Sequence, residues 1–410
     1  MDGRQPDGGR QPFGTRAETS QAFADHVDAG KTAALQAIDF DVVMGERAGA
    51  RFADAYDGRW FWNCHCNGGV FNLGHRNERV VAATKEALDH VDVGNHHLIS
   101  GWRAHLARQL ADTTDGRLPH AVFGSSGAEA VDVALKVARG VTGRTTIVSA
   151  QGAYHGSTGY ARSAGDPHFD ELFGSRLPGF EQVPFDDLAA LDAAIDGETA
   201  AVILESIPAT LGFPLPSAGY LRAVGELAHS RGALLVLDEV QTGLGRTGTI
   251  WHYQQHDAEP DMVITGKGLS GGVYPMSAVL MTSDVHRLLD DHPFSHDSTF
   301  GGAELGCVVA TTVLDIVTEP GFLERVNALG ERFEEGLRGA PFELRRAGMT
   351  MGLAFDDPLG GFLGSAALID VGVFTVFAFY DQSVTQFLPP LTITDDEADE
   401  IISLVRRALG

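Results

Sequence analysis

Basic residues are scarce in this sequence, and lysine is the scarcest of them. The chain has 410 residues with 30 Lys and Arg against 55 Asp and Glu, which gives a formal net charge of −25. Proteins that bind nucleic acids neutralise the phosphate backbone with clustered Lys and Arg, so this balance excludes a nucleic-acid partner. Only four lysines occur, Lys31, Lys85, Lys136 and Lys267. Any lysine that takes part in chemistry is therefore one of these four.

Cysteine and long apolar runs are lacking as well. The three cysteines, Cys64, Cys66 and Cys307, are too few for a disulfide framework. No apolar stretch is long enough to span a bilayer, and the first residues, MDGRQP, lack the apolar core of a secretory signal. We therefore expect a cytoplasmic protein without a membrane partner.

The chain is long enough for two domains, and its hydrophobic share of 44% is ordinary for a globular protein. Residues 1–20 are polar, rich in Gly and Pro and contain GRQP twice, which predicts a mobile N-terminal arm. We assign residues 21–75 to the N-terminal part of a small domain, 76–304 to a large domain and 305–410 to the C-terminal part of the small domain.

The middle of the chain alternates short apolar runs with amphipathic stretches. These runs predict buried parallel strands: Thr145–Ala150, Ala201–Leu204, Ala233–Leu237, Met262–Thr265 and Ala278–Thr282. Between the second and third runs, apolar residues recur at helical spacing and Gly232 follows as a stop signal. The pattern predicts an α/β fold with a mostly parallel sheet and a smaller α+β domain, whose helices cover Leu323–Leu337 and Asp396–Leu409.

Three ionisable residues come at or just after the ends of the predicted strands. Glu205 and Asp238 follow two of the apolar runs directly, and Lys267 follows a third in the glycine-rich segment TGKGLSGG. In open α/β sheets, ligands bind beyond the carboxyl ends of the strands. A lysine buried there has a lowered pKa and can form an imine with a carbonyl group. Lys31 and Lys85 lie in polar helical stretches, and Lys136 lies on the solvent side of a predicted helix, so Lys267 is the candidate by elimination as well as by context.

The segment GSSGAEA at Gly124 precedes a predicted helix. Its small residues would let backbone N–H groups approach an anion at the positive end of the helix. Ser126 and Glu129 also have the spacing of a capping box, which is an alternative interpretation of the same residues. Asp238 has two interpretations as well, because a buried carboxylate can bind either a protonated pyridine nitrogen or a neighbouring loop.

Taken together, the motifs resemble those of the class III aminotransferases, a branch of the fold-type I enzymes that depend on pyridoxal phosphate (PLP). The resemblance covers roughly residues 71–391. It rests on NLGHRN at Asn72, SSGAEAVDVALKVAR at Ser125, GAYHG at Gly152, LDEVQTGLGRTG at Leu237, TGKGLSGG at Thr265 and TFGG at Thr299.

The resemblance implies a role for each matching residue. Lys267 would hold PLP as a Schiff base and later move the substrate proton, while Asp238 would keep the pyridine nitrogen protonated. The remaining cofactor contacts would come from Ser126, Gly127 and Ala128 at the phosphate, Tyr154 and Val240 on the two ring faces, Gln241 at the ring oxygen, and His155 and Glu205 beside them. Thr299 would reach the phosphate of the neighbouring subunit.

The family's fold has a mostly parallel central sheet with helices on both faces and a small domain built from both termini. Its activity moves an amino group between an amine or amino acid and a carbonyl acceptor in a ping-pong Schiff-base mechanism. We therefore expect a PLP-dependent aminotransferase that forms a homodimer with shared active sites and uses a small-molecule amine donor and a carbonyl acceptor. No metal is expected.

The sequence departs from the family where carboxylate substrates are bound. Ornithine-type members use an Arg in an HGRT segment and an Arg before PPL that is paired with a glutamate. Here Ser157, Gln386 and Thr210 stand at these three places. A neutral amide cannot reproduce the bidentate charged pair of an Arg with a carboxylate. Either the usual dicarboxylate substrate is not used, or another arginine such as Arg162 replaces the missing one.

Several other features allow different interpretations. Residues 243–248 match GxGxxG after a strand, so an NAD-dependent oxidoreductase is a rival, although Asp261 is its only plausible ribose-binding acid. Cys64 and Cys66 flank a histidine but lack the further ligands of a closed zinc site, so we interpret them as local packing. His96 and His97 are interpreted as surface or interface residues.

Trp62 belongs to an aromatic cluster that either packs in the core or walls a substrate pocket, and we interpret Arg246 as a structural or dimer contact. The PLP scaffold also serves epimerases, racemases, aminomutases and decarboxylases, which stay open as alternatives. An inactive interaction protein on this fold is the non-enzymatic alternative.

Overall fold

The computed structural model describes residues 11–174 and 176–410. Its strands are β1 (Met44–Ala48), β2 (Arg51–Asp54), β3 (Trp60–Asn63), β4 (His120–Gly124), β5 (Thr146–Ala150), β6 (Phe180–Val183), β7 (Thr199–Glu205), β8 (Leu234–Asp238), β9 (Met262–Thr265), β10 (Ser277–Met281), β11 (Glu343–Ala347), β12 (Thr350–Ala354), β13 (Val373–Phe374), β14 (Val376–Phe377) and β15 (Val384–Phe387).

The α-helices are α1 (Arg16–His26), α2 (Ala29–Ala37), α3 (Cys66–Gly69), α4 (Glu78–Ala87), α5 (Gly101–Asp112), α6 (Gly127–Thr142), α7 (Gly159–Ala164), α8 (Asp170–Phe173), α9 (Leu188–Ala194), α10 (Tyr220–Ser230), α11 (Ser283–Asp291), α12 (Glu304–Val317), α13 (Phe322–Gly336), α14 (Gly360–Asp370) and α15 (Asp395–Leu409). Short 3-10 helices cover Pro167–Phe169, His252–His256 and Lys267–Ser270.

A seven-stranded sheet with the order β4-β10-β9-β8-β7-β5-β6 forms the centre of the large domain. The strands β5 to β9 run parallel to one another. Their apolar side chains alternate between two layers: Val202 and Leu204 pack into one hydrophobic cluster, and Ala201 and Ile203 pack into the other. Helices cover both faces, so the predicted α/β fold with a mostly parallel sheet is confirmed.

One predicted parallel strand runs the other way. The last apolar run forms β10, which pairs antiparallel with both β4 and β9. A strand buried on both faces has the same apolar composition in either direction, so composition does not fix its orientation.

The register of the parallel strands brings the predicted site residues together. Glu205 pairs with Asp238 across β7 and β8, and Asp238 pairs with Ile264 across β8 and β9. Lys267 follows three residues after Ile264. The two carboxylates and the lysine therefore lie at the same edge of the sheet.

The small domain combines segments from both ends of the chain. Its first sheet has the order β1-β2-β3-β13, in which β13 pairs with β3 in parallel, and its second has the order β11-β12-β15-β14. Helices α13 and α15 pack against these sheets, where Phe333 and Ile401 share a buried cluster with Phe387.

The N-terminal segment is ordered earlier than the sequence predicts. Helix α1 begins at Arg16 with a reciprocal capping box between Thr15 and Glu18, so a mobile arm over residues 1–20 is wrong for its last five residues. Residues 1–10 of the predicted arm lie outside the described residues. The Arg16 guanidinium binds Asp54, whose side chain is fully buried, and thereby fixes α1 to the small domain.

Within residues 11–174 and 176–410, no single helix has both the length and the apolar composition to cross a bilayer. Helices α12 and α13 reach these criteria only as a pair bent by 68°.

Candidate active site

Lys267 lies on a strained turn directly after β9. Its φ of +40° is in the left-handed region, which residues with a side chain rarely adopt. The Ser270 hydroxyl donates a hydrogen bond of 2.6 Å to the Lys267 carbonyl and closes the turn. Gly68 packs against the lysine, because a Cβ there would lie 3.4 Å from Lys267 Nζ. The lysine is therefore held in one place by its backbone and its surroundings.

The other three lysines lie on the surface. Lys31, Lys85 and Lys136 are exposed, and the Lys136 amine is 2.9 Å from Nδ1 of His296. Burial lowers the pKa of Lys267, although the nearby carboxylates of Asp238 and Glu205 oppose this shift. Lys267 is the lysine whose environment favours the neutral, nucleophilic amine.

Asp238 is held through both carboxylate oxygens. Its Oδ2 is 2.8 Å from Nδ1 of His155, and its Oδ1 accepts a 3.1 Å hydrogen bond from the backbone N–H of Val240. Burial opposes protonation of His155, yet the hydrogen bond and charge of Asp238 and the charge of Glu205 raise its pKa. Nε2 of His155 is buried without a protein hydrogen-bond partner at the wall of the cavity.

Glu205 stands beside this pair at the end of β7. Its Oε1 accepts a 2.9 Å hydrogen bond from the backbone N–H of Tyr154. Burial raises the pKa of Glu205 to about 7, with Asp238 adding to the shift and His155 opposing it. The cluster therefore holds two carboxylates within a network of one histidine and one lysine.

Helix α6 begins at the opposite end of the cavity. Ser126 is its N-cap residue and accepts a 3.2 Å hydrogen bond from the Glu129 N–H, while the Glu129 carboxylate binds Ser125 and Ser298 instead of closing a capping box. Gly127 packs closely against the neighbouring loop, because a Cβ there would lie 3.3 Å from the Val240 side chain. First-turn N–H groups of α6 thus border a cavity that can accept an anion.

One cavity of about 330 Å³ joins these groups. Its lining contains eleven of the residues that the sequence singles out: Ser126, Gly127, Ala128, Tyr154, His155, Ser157, Glu205, Asp238, Val240, Gln241 and Lys267. An aldehyde requires an amine, which Lys267 supplies. A protonated ring nitrogen requires a carboxylate, which Asp238 supplies, and a phosphate requires N–H donors, which the N-terminus of α6 supplies. Tyr154, with 51% of its surface exposed, and Val240 offer two walls for a flat ring. The residues present fit PLP.

Four other predicted residues do not line this cavity. Thr299 is exposed in the segment between α11 and α12. The Thr210 hydroxyl donates a 2.9 Å hydrogen bond to the Gly152 carbonyl, and the Gln386 amide donates a 3.4 Å hydrogen bond to the Phe377 carbonyl. Arg162 donates to the Gly174 carbonyl and stacks over a nearby phenylalanine ring.

The interpretation of Trp62 as a wall of the substrate pocket is wrong. Its ring is 3% exposed and packs in the core of the small domain, with the Arg51 guanidinium 4.0 Å above it. Its indole N–H donates to the Glu400 carboxylate. Adjacent side chains of a strand point to opposite faces, and the strand pattern does not reveal which face meets the cavity.

His65 is a candidate site residue that sequence reasoning misses. Its ring stands edge-on to the Phe374 ring at 6.0 Å. Burial, with the charge of Lys267 adding to it, lowers the pKa of His65 to about 4. Its Cys-His-Cys setting suggests only packing or metal binding, and Phe374 is far away along the chain. Its position just before the matching NLGHRN segment is the one local signal that it borders the site.

Arg246 is a structural residue. It is fully buried and donates to the Asn72 side chain and to the carbonyls of Met349 and Pro389. Gly248, the last glycine of the GxGxxG match, packs against Asn327, and Asp261 binds the His229 ring and the Leu235 N–H. The glycine-rich loop therefore lies against protein and has no features of a dinucleotide site.

His96 and His97 lie at the surface beside Asp297. Their ligand-type atoms and that of Asp297 all lie within 4.8 Å of one another. Cys64 and Cys66 are buried free cysteines that are not part of such a group.

Comparison with known proteins gives consistent matches along the chain. The family model for class III aminotransferases matches residues 33–409. An uncharacterized aminotransferase of Archaeoglobus fulgidus is 46% identical over 392 residues, which cover 94% of this chain and 92% of that protein.

Two solved structures are similar over most of their length. The ornithine aminotransferase of Toxoplasma gondii, which was solved with partial occupancy of PLP, has a TM-score of 0.88 and 28% identity, and the match covers 96% of this chain and 94% of that chain. The N-acetylornithine aminotransferase of Stenotrophomonas maltophilia has a TM-score of 0.77 and 28% identity, and the match covers 92% of this chain and 97% of that chain.

Proposed function

The chain belongs to the class III aminotransferase family, and we propose that its amino donor is an amine without the carboxylates of the usual α-amino dicarboxylate. It is a PLP-dependent aminotransferase that uses a small-molecule amine donor and a carbonyl acceptor. The proposal concerns which amine and which acceptor it takes.

The absence of a cation at the cavity supports the proposal. Among the described residues that line the cavity and the adjoining cavity of about 360 Å³, Lys267 is the only Lys or Arg. The Arg162 guanidinium donates to the Gly174 carbonyl, stacks over the Phe173 ring and does not line either cavity. A carboxylate that loses its hydration without gaining a charged partner is bound poorly.

The residues around Lys267 divide the work of amino transfer. PLP, when bound through Lys267, supplies an electron sink for the electron pair that the departing substrate proton leaves behind. Asp238, fixed by His155 and Val240, would hold a proton at the pyridine nitrogen. Lys267, whose pKa is lowered by burial, would move the proton at the substrate carbon. The first-turn N–H groups of α6 would bind the phosphate.

We propose that a homodimer completes the site. The segment around Thr299 carries exposed apolar side chains, since Phe294 is 89% and Phe300 is 53% exposed. Ile99, just before helix α5, is fully exposed as well. Covering these side chains with a second copy would remove apolar surface from water. In that dimer Thr299 donates to the phosphate in the site of the other subunit.

A donor screen tests the proposed substrate class. The PLP-loaded enzyme is mixed with isopropylamine, ornithine or glutamate, and the change in the cofactor's visible absorbance is followed in a single half-reaction. We expect the simple amine to react faster than glutamate. A faster reaction with glutamate than with every simple amine would contradict the proposal.

A labelling experiment tests the role of Lys267. Borohydride is expected to fix PLP to the peptide that contains Lys267 and to leave Lys31, Lys85 and Lys136 unlabelled, as read by mass spectrometry. Lys267→Ala should abolish the labelling, whereas Lys136→Ala should retain it. Labelling of another lysine in the native enzyme would overturn the assignment.

A further inference from the structure

Two loops that are far apart in the sequence meet at the surface of the large domain. One connects α4 to α5 and carries His96 and His97, and the other connects α11 to α12 and carries Asp297. One ligand-type atom from each of the three residues lies within 4.8 Å of the other two, and Nδ1 of His97 is 4.0 Å from Oδ2 of Asp297. The ring centroids of His96 and His97 are 3.9 Å apart. Two imidazoles and one carboxylate are thus grouped within reach of one ion.

The His96 ring is oriented in the way that is usual for a metal-binding histidine. Its Nδ1 lies 3.2 Å from the Gly94 carbonyl, which can only accept a hydrogen bond, so Nδ1 carries the proton and Nε2 of the neutral ring keeps its lone pair. Histidines that bind metals commonly donate their other ring N–H to a carbonyl, which fixes both the tautomer and the ring. The loop itself is closed by the Leu98 N–H, which donates 3.2 Å to the Asn95 side chain.

Asp297 lies between two neighbours that are anchored to helix α6. Nδ1 of His296 is 2.9 Å from the Lys136 amine, and the Ser298 hydroxyl donates a 2.7 Å hydrogen bond to the Glu129 carboxylate. The Asp297 side chain is 49% exposed, so an ion from solution can reach its carboxylate. The backbone on both sides of the aspartate is therefore held while its side chain stays accessible.

Arg103 of α5 connects the two loops. Its guanidinium donates 2.6 Å to the Leu98 carbonyl and 3.4 Å to the His96 carbonyl. A Cβ at Gly302 would lie 2.8 Å from the Arg103 side chain, so the stem of the arginine packs against the segment that follows Asp297. The separation between the histidine pair and the aspartate is therefore set by the fold.

We propose that His96, His97 and Asp297 bind one divalent transition-metal ion, for which Zn²⁺ is the best match. Imidazole nitrogens and a carboxylate oxygen are zinc ligands, whereas Mg²⁺ and Ca²⁺ take oxygen ligands. Ligand atoms of a tetrahedral zinc ion lie about 3.4 Å apart, and rotation of the exposed His97 and Asp297 side chains covers the remaining distance. Water takes the fourth position. The net charge of −25 favours the approach of a cation.

The ion would fix the segment that carries Thr299. Asp297 comes two residues before Thr299, so a bound ion would tie this segment to the loop that precedes α5. All three ligands belong to one chain, and the site therefore does not depend on the proposed donor or on the proposed dimer. Local sequence motifs do not reveal it, because Asp297 is distant from the histidine pair along the chain.

Zinc binding by the PLP-loaded enzyme tests the proposal. The protein, without an added histidine tag, is dialysed against increasing concentrations of ZnCl₂ in a buffer free of chelators, and elemental mass spectrometry counts the bound metal. We expect one tightly bound zinc ion per chain and no such binding from MgCl₂. A native enzyme that binds no zinc, or that binds magnesium equally well, would overturn the proposal.

Variants assign the ion to its ligands. His97→Ala and Asp297→Asn should each weaken zinc binding at least about tenfold, because each removes one of three ligands. His90→Ala removes another exposed histidine of the same loop and should bind zinc as the native enzyme does. Unchanged zinc binding in both ligand variants would overturn the site.

A second histidine pair provides the rival location. The His120 and His286 rings stack at 4.2 Å, and Oδ1 of Asp290 is 3.2 Å from Nδ1 of His286. We expect His286→Ala to keep the zinc ion. Loss of the ion in His286→Ala together with its retention in His97→Ala would place the ion at this second pair and overturn the proposal.

Melting curves separate metal binding from folding. The metal-free His97→Ala and native proteins should melt at the same temperature, because the side chain is exposed. Zinc should raise the melting temperature of the native enzyme and leave that of His97→Ala unchanged, since only a ligand that binds the native state stabilises it. If His97→Ala is less stable without metal, His96→Gln gives the same comparison. An equal rise in native and variant would overturn the assignment.

Discussion

Nδ1 of His155 lies 2.8 Å from Oδ2 of Asp238, and this hydrogen bond joins the loop that carries His155 to the end of β8. It fixes the carboxylate that we assign to the pyridine nitrogen. We expect His155→Phe to slow the half-reaction about tenfold, because a buried charged hydrogen bond is lost. His155→Asn, which can still donate to Asp238, should recover part of the rate. Single-turnover absorbance measures the rate, and equal rates in the native enzyme and both variants would exclude a positioning role.

An arginine at position 386 should introduce a site for a substrate carboxylate. Introducing a cation with Gln386→Arg is expected to raise the rate with glutamate relative to isopropylamine about tenfold, since an arginine binds a carboxylate in a bidentate pair. Gln386→Met removes the amide without adding charge and is the control. Competition between the two donors in one half-reaction gives the ratio, and a gain in the Met variant equal to that in the Arg variant would contradict the charge argument.

Arg246 should be a major contributor to stability. Its removal in Arg246→Met leaves the Asn72 side chain and the Met349 and Pro389 carbonyls without their buried donor, which is expected to cost at least about 3 kcal/mol in the free energy of unfolding. Urea denaturation measures the loss. Arg222→Met removes an exposed arginine from its pair with Glu226 and should leave the free energy of unfolding unchanged.

Acid should destabilise the protein through its buried neutral histidines. Burial, aided by the neighbouring His256, lowers the pKa of His252 to about 3, against an ordinary value of 6.5. Below pH 6.5 the unfolded chain therefore takes up a proton that the native state does not bind, and stability falls as the pH falls toward 3. His65 and His75, each with a pKa of about 4, act in the same direction.

The contribution of one histidine can be isolated with His252→Gln. Between about pH 6 and pH 4.5, the free energy of unfolding of the native protein should fall by about 1.4 kcal/mol per pH unit more than that of the variant. This difference in slope corresponds to one proton. Urea unfolding curves of the cofactor-free protein between about pH 6 and pH 4.5 measure the slope. Parallel slopes for the two proteins would show that His252 is not the group that titrates.

The sequence predicts the central sheet well because its strands are buried on both faces. β7, for example, is an uninterrupted buried run, and the polar residue at its end is one of the residues that meet at the sheet edge. Local motifs also predict the lining of the cavity, since Asp238 and Lys267 each follow a recognisable strand. The direction of β10 is different: it depends on which strands lie beside it, and its apolar residues do not encode that.

Residues that act through distant partners were beyond sequence reasoning. The surroundings of His65 depend on the Phe374 ring, which approaches it from the C-terminal part of the chain. The sequence leaves Trp62 open between the core and a wall of the pocket, because aromatic residues suit both. Only the packing of Arg51 over its ring and of Glu400 at its N–H assigns it to the core.

The distribution of the four lysines has a practical consequence. Aldehyde and active-ester surfaces attach proteins through accessible amines. The accessible lysine amines here are those of Lys31, Lys85 and Lys136, while Lys267 is buried in the cavity. An enzyme tethered in this way would be joined to its support at a few defined points. Immobilisation of this chain through its lysines should therefore leave the reactive Lys267 unmodified when the cofactor is bound.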